Sequence, residues 1–186
     1  MDLTLIYTII GFSLAAYSVI ANDSVQTLGT FIASNQRFKW YWLATAASLV
    51  LAFTLLYGWS INNGDITFGR LNKIPYQQIQ WYHAGAPLIL LILTRVGIPV
   101  STTFLVLSAF ASTVVLEKVL VKSVVGYGLA AVIAYAMWLI VSKYINEKFD
   151  KVKPNHRRAW IIAQWCTTGF LWYTWLSHDV ANIAVF

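Results

Sequence analysis

Leu3–Ala21 reads LTLIYTIIGFSLAAYSVIA, a run without a single charge. The hydrocarbon core of a bilayer is about 30 Å thick and takes about 20 apolar residues in a helix, so this stretch predicts a transmembrane span. Only Met1 and Asp2 precede it, without the positive lead of a cleaved signal peptide, and it is read as a retained first crossing. The crossing is expected to stop at Asn22-Asp23. Ser24–Ser34 (SVQTLGTFIAS) is semi-polar and half a span long, so the helix is expected to be interrupted there, before Arg37 and Lys39 mark an interface.

Composition extends this to the whole chain. Hydrophobic residues make up 59% and charged ones 11% of 186 positions, against about a quarter charged in a soluble domain. The missing charge leaves a surface suited to lipid, and 9 Trp with 10 Tyr suit the aromatic belts at membrane interfaces. The net charge of +6 is scattered through loops, with no polar stretch alternating base and aromatic, which speaks against a nucleic-acid partner. The single cysteine, Cys166, excludes an internal disulfide or a cysteine metal cluster and is expected to serve packing.

Trp40–Trp59 predicts a second crossing, and Ser60–Gln80 (SINNGDITFGRLNKIPYQQIQ) a surface loop with Asn-Gly and Gly-Arg breakers. Ala84–Val96 is too short to cross; Gly97-Ile98-Pro99 breaks it, and Val100–Val115 is apolar again. Two short halves around such a break predict a re-entrant hairpin over about 84–115. Tyr127–Val141 centres a further span over about 123–143, flanked by Lys118, Lys122 and Lys143. Residues 146–158 (NEKFDKVKPNHRR) form a basic linker that the positive-inside rule puts in the cytoplasm. Ala159–Leu176 crosses once more.

The predicted fold is therefore all-α: a polytopic transmembrane bundle with broken helices and a re-entrant hairpin, in a multi-pass protein of the cell (inner) membrane. With the linker inside, the first span runs outside to inside, the N-terminus lies outside, and the span from Ala159 runs the opposite way. Residues 1–145 then form one repeat and residues 159–186 open a second, inverted one.

Two constellations carry chemistry. Ala21-Asn22-Asp23-Ser24-Val25-Gln26 and Ser177-His178-Asp179-Val180-Ala181-Asn182 each follow an apolar stretch with a polar residue, an aspartate, and an amide three residues after it. A carboxylate inside a bilayer costs several kcal/mol and persists where partners compensate it, so the pair predicts a cation site. The plainer alternative is a capped helix end at the interface. The second constellation is Pro99-Val100-Ser101-Thr102-Thr103, expected to open a half-helix whose free amides and hydroxyls attract an oxyanion; here the alternative is a helix whose hydroxyls satisfy its own backbone.

On these residues the chain resembles the inorganic phosphate transporter (PiT) family, which includes sulfate-transporting relatives. Ala21-Asn22-Asp23 with Gly29-Thr30 matches the first copy of the family signature, His178 to Asn182 the second, and Gly97 with Pro99 to Thr103 the segment between them. The resemblance implies symport of phosphate or a related oxyanion such as sulfate with Na+ or H+ by alternating access. It implies that Ser101, Thr102, Thr103, Asn22 and Thr30 contact the anion, and that Asp23, Asp179, Asn182 and His178 bind the coupling cation, with any metal confined to a Na+ there. Apart from the coupling ion no cofactor is implied, and family analogy suggests a homodimer.

The sequence departs from the pattern at Gln26, His178, Phe104 and Val185. Imidazole titrates near neutral pH, so His178 beside Asp179 favours H+ over Na+. The pattern also calls for a second serine-threonine hairpin beyond Asp179, so the expectation is a longer protein, in preference to a reduced form that pairs with another chain. Arg95 near Pro99 is either an anion contact or a snorkelling side chain. His83 and His156 have no ligand partners at metal spacing, and no nucleophile elbow, phosphate-cradling glycine loop or zinc pattern supports an enzyme. A non-transporting membrane subunit and an anion channel remain the rival functions.

Overall fold

The computed structural model describes residues 2–98, 100–111, 113–145 and 157–186, and no strand occurs among them. Five α-helices carry the fold: α1 (Leu3–Ser34), α2 (Trp40–Ile61), α3 (Gly85–Val96), α4 (Thr113–Ile140) and α5 (Arg157–Ala184). Short 3-10 turns at Arg70–Lys73 and Trp81–Ala84 punctuate the long polar segment, and π turns occupy Thr103–Leu107 and Val141–Ile145. Leu3–Ser34, Trp40–Ile61 and Leu116–Lys143 are long and apolar enough to cross a membrane, and the most apolar window of the third has no buried residue. That window, apolar and unburied, suits lipid as its solvent. The chain is a membrane protein.

α1 begins at Asp2, whose carboxylate accepts the Thr4 amide at 3.0 Å. The expected interruption at Asn22-Asp23 is not there: α1 runs unbroken for 32 residues. At 1.5 Å per residue that is about 48 Å, more than a bilayer core. No proline removes a donor in this stretch, and Asn22 and Asp23 are buried mid-helix with tertiary surroundings, so neither acts as a cap. α5 likewise continues through His178-Asp179 to Ala184, past the expected end at Leu176. Cys166, expected to pack, is exposed.

α1 and α5 lie antiparallel. Near the end of α1, Asn35 donates to Gln164 Oε1 at 3.1 Å and accepts from the Trp165 indole at 3.2 Å, while Phe31 meets Trp165 edge-on at 5.0 Å. One stretch further, Leu28 packs with Trp172 and Leu176. Near the other end, Gly11 sits under the Phe186 ring so closely that a Cβ there would collide with it. α2 packs beside α5, its Ala47 carbonyl accepting the Trp172 indole at 3.1 Å.

The break expected at Gly97 is present, and the half-helix expected after it is not. α3 stops at Gly97, which takes the left-handed φ of +82° while the Ile98 amide reaches back to Leu93 O at 2.9 Å, a glycine-dependent helix stop. Beyond it the apolar run does not form one half-helix. It makes the Thr103–Leu107 π turn, bends at Ser108–Phe110, and enters α4. α4 therefore starts ten residues before the span expected at 123, so Lys118 and Lys122 ride on the helix. Val106 from this turn joins Val19 and Leu90 in a fully buried core that ties α1, α3 and the turn together. Pro99 lies outside the described residues, as do residues 146–156 of the basic linker; Arg157 and Arg158 already belong to α5.

Candidate functional site

The antiparallel register of α1 and α5 brings the two aspartate motifs to one place. Asp23 and Asp179 are neighbours lining a cavity of about 400 Å³, together with Ser101, Thr102 and Thr103 from the segment after the α3 break. Asp23 is 1% and Asp179 8% exposed, so both carboxylates are removed from bulk water.

Each partner is held for a reason. The Thr102 hydroxyl donates to Asp179 Oδ2 at 2.8 Å and the Thr103 hydroxyl to Asp179 Oδ1 at 3.0 Å. Asn182, one turn on from Asp179, donates from Nδ2 to both hydroxyl oxygens, at 3.1 and 3.3 Å. Two hydroxyls, a carboxylate and an amide thus form a closed square across α5 and the π turn. On the α1 side, Asn22 Nδ2 at 3.1 Å and Gln26 Nε2 at 3.2 Å both donate to Val100 O. The break frees that carbonyl from helical bonding, and in a membrane it must be satisfied internally. Asn22 Nδ2 also approaches Asp23 Oδ1 at 3.4 Å, whereas Asp23 Oδ2 is buried without a hydrogen-bond partner.

Of the residues singled out in the sequence, Asn22, Asp23, Ser101, Thr102, Thr103, Asp179 and Asn182 gather here. His178 is exposed at the cavity rim; its Nδ1 lies 2.8 Å from Thr174 O, so that nitrogen donates, and Nε2 has no partner among the described residues. Thr30 does not join them. It is exposed on α1 about two turns beyond Asp23, where its carbonyl accepts the Ser34 hydroxyl.

The expected helix N-terminus is absent. Thr102 and Thr103 bind Asp179, and only Ser101 Oγ serves the local backbone, accepting the Phe104 amide at 3.3 Å. The five-residue π turn offers no extended dipole. Arg95 points elsewhere, exposed and donating to Tyr17 Oη at 3.2 Å. His83 is a packed residue: it is buried against Phe110, stacked at 4.4 Å, with Nδ1 accepting the Gln80 amide.

Sequence reasoning missed Trp175 and Arg70, both lining the cavity. Trp175 is three residues before His178 on α5 and sits beside Asp23. Arg70 belongs to the Ser60–Gln80 loop, expected only to face solvent; the basic residue in a Gly-Arg turn gave no sign of what the loop packs on.

These features define an all-helical membrane protein with a paired-carboxylate, hydroxyl-lined cavity between antiparallel helices. No protein-family model, no curated protein and no solved structure matches the chain.

Proposed function

We propose that this protein is a secondary transporter that carries an inorganic oxyanion, phosphate or a relative such as sulfate, together with Na+ or H+, in the manner of the PiT carriers it resembles. One observation carries the reading: two copies of the same aspartate motif, 156 positions apart in sequence, meet on antiparallel helices in the cavity where Thr102 and Thr103 present their hydroxyls. Antiparallel copies are what an inverted repeat produces, and such repeats build their ion sites at the repeat interface. In this reading α3 and the segment after Gly97 form a re-entrant hairpin, and the N-terminus faces outside.

The charges supply a coupling mechanism. Two carboxylates facing one poorly hydrated cavity repel each other, so the pair takes up a Na+ or shares a proton. Asp179, meanwhile, holds with its two oxygens the two hydroxyls that a tetrahedral oxyanion needs. Its carboxylate is an internal stand-in for the anion. A cation on the aspartate pair weakens that hold and frees Thr102 and Thr103 for the anion, so neither ion binds well alone. The empty site and the doubly loaded one are the two states that alternating access would exchange.

Purified protein in liposomes loaded against labelled phosphate or sulfate tests this. Uptake driven by an imposed Na+ or pH gradient, abolished by Asp23→Asn in protein that still folds, is the expected result. A pH gradient that drives uptake in sodium-free vesicles selects H+; indifference to it rules H+ out. Conductance without cation coupling would make the protein an anion channel, and loss of assembly without any flux a packing subunit.

A further inference from the structure

Arg70 lines the cavity from a segment unrelated to the aspartate motifs, and several contacts fix the turn that carries it. Asp65 accepts the Thr67 amide at 2.7 Å, the Thr67 hydroxyl at 2.6 Å and the Gly69 amide at 2.6 Å, closing the turn just before Arg70. Phe68 and Gly69 both take left-handed φ values, +53° and +74°. A side chain adopts that conformation where its surroundings hold it, and here the Phe68 ring is seated on Gly58 of α2, where a Cβ would come within 2.8 Å of ring carbon. The chain then enters the Arg70–Lys73 turn, which packs on α5.

The guanidinium so delivered forms no hydrogen bond or ion pair with any described residue, although it shares its cavity with two carboxylates. An arginine in such company ordinarily pairs. Without it no lysine or arginine among the described residues would line the cavity against its two carboxylates, leaving an anion only neutral donors such as the Ser101 hydroxyl and the Trp175 indole.

We infer that Arg70 is the guanidinium clamp for the transported oxyanion, and that the Asp65–Gly69 turn docked on Gly58 is the device that holds it in place. The inference rests on the cavity being an anion site and names the positive group that such a site requires. The planar fork of arginine matches two oxygens of a tetrahedral anion, which lysine cannot reproduce. Arg70 offsets one carboxylate, and the coupling cation offsets the other.

The test has two arms, each run with inorganic phosphate and with sulfate. In liposome uptake, Arg70→Gln raises KM roughly 10- to 100-fold, the range for losing a charge-assisted hydrogen bond, and lowers flux at saturating anion by a smaller factor. Arg70→Lys recovers part of the loss. An unchanged KM in folded variants overturns the inference. The second arm needs no substitution: an arginine-selective dicarbonyl reagent is applied to the full chain and labelling is read by mass spectrometry. The anion shields Arg70 and leaves Arg37 and Arg95 unprotected; equal labelling of Arg70 with and without anion overturns the clamp. Coupled uptake with an unshielded Arg70 removes this inference alone, whereas the absence of uptake and of shielding in the unmodified protein removes the anion-site reading with it.

Discussion

Thr102→Val is the substitution whose consequence follows most directly from the geometry. Valine keeps the β-branched shape and nearly the volume of threonine, so the π turn keeps its packing and only the hydroxyl is lost. That hydroxyl donates to Asp179 Oδ2 at 2.8 Å and accepts from Asn182 at 3.1 Å, in a residue 3% exposed. Hydrogen bonds to charged groups contribute about 1.5–3 kcal/mol, and a buried partner left unsatisfied adds to the cost. Asn182 Nδ2 keeps Thr103 Oγ1 at 3.3 Å, whereas Asp179 Oδ2 loses its hydroxyl donor and only Oδ1 keeps Thr103. The expected destabilisation is therefore about 2 kcal/mol, read from reversible unfolding in detergent micelles, with coupled anion uptake in liposomes falling as well. Asp179→Asn provides the control. If the Thr102 hydroxyl acts through the carboxylate, Thr102→Val costs at least about 1 kcal/mol less in the Asp179→Asn background, a coupling of ordinary size for groups in contact. Equal costs in both backgrounds, with uptake untouched, would refute the square of bonds as the core of the site.

Other outcomes follow from the same contacts. Asn22→Leu, which strips Val100 O of a buried donor, costs about 1–3 kcal/mol, while Gln26→Leu, at an exposed position with the same acceptor, costs less; comparing their unfolding curves checks the order. Gly58→Val pushes the Phe68 ring off α2 and weakens anion binding at a distance from the cavity, measurable as a raised KM with little change in saturating flux. Bonds from the Thr67 hydroxyl and amide, with the Gly69 amide, hold the Asp65 carboxyl below its ordinary value of 3.8. A depressed folded value contributes stability that is fully present above the unfolded value and lost as pH falls through the folded one. The melting temperature should therefore drop below about pH 4, and Asp65→Asn should flatten part of that drop. Asn35→Leu removes the bonds that tie the end of α1 to Gln164 and Trp165, and lowers the melting temperature without shifting the anion KM.

Much of this was open to inspection in the amino-acid sequence because the relevant physics is local. A charge-free run such as Leu3–Ala21 needs lipid or burial whatever its neighbours do, and Gly97 ends α3 because the left-handed turn there asks for glycine. The meeting of Asp23 with Asp179 was legible through the repeated motif, and the nearness of Thr102 and Thr103 only through the resemblance. Asn22-Asp23 was misread as a helix end, since polar residues inside an apolar run resemble a terminus when their partner, Val100 O, lies 78 positions away. The same blindness to distant partners hid Arg70 and made the serine-threonine segment look like a helix start, when its two threonine hydroxyls are turned to α5. Thr30 matched a motif by spacing, yet two turns of helix carry it out of reach of the cavity.

Binding linkage examines the proposed ion site most directly. Phosphate or sulfate affinity is titrated calorimetrically at a series of Na+ concentrations and pH values, in the unmodified protein and in Asp23→Asn. A carboxylate pair that must be neutralised before Thr102 and Thr103 are released predicts that anion affinity rises with Na+ or with acidity in the unmodified protein, by the same factor in reverse for the cation, and that Asp23→Asn abolishes the dependence. Anion affinity indifferent to both ions, or equally responsive in Asp23→Asn, would contradict it.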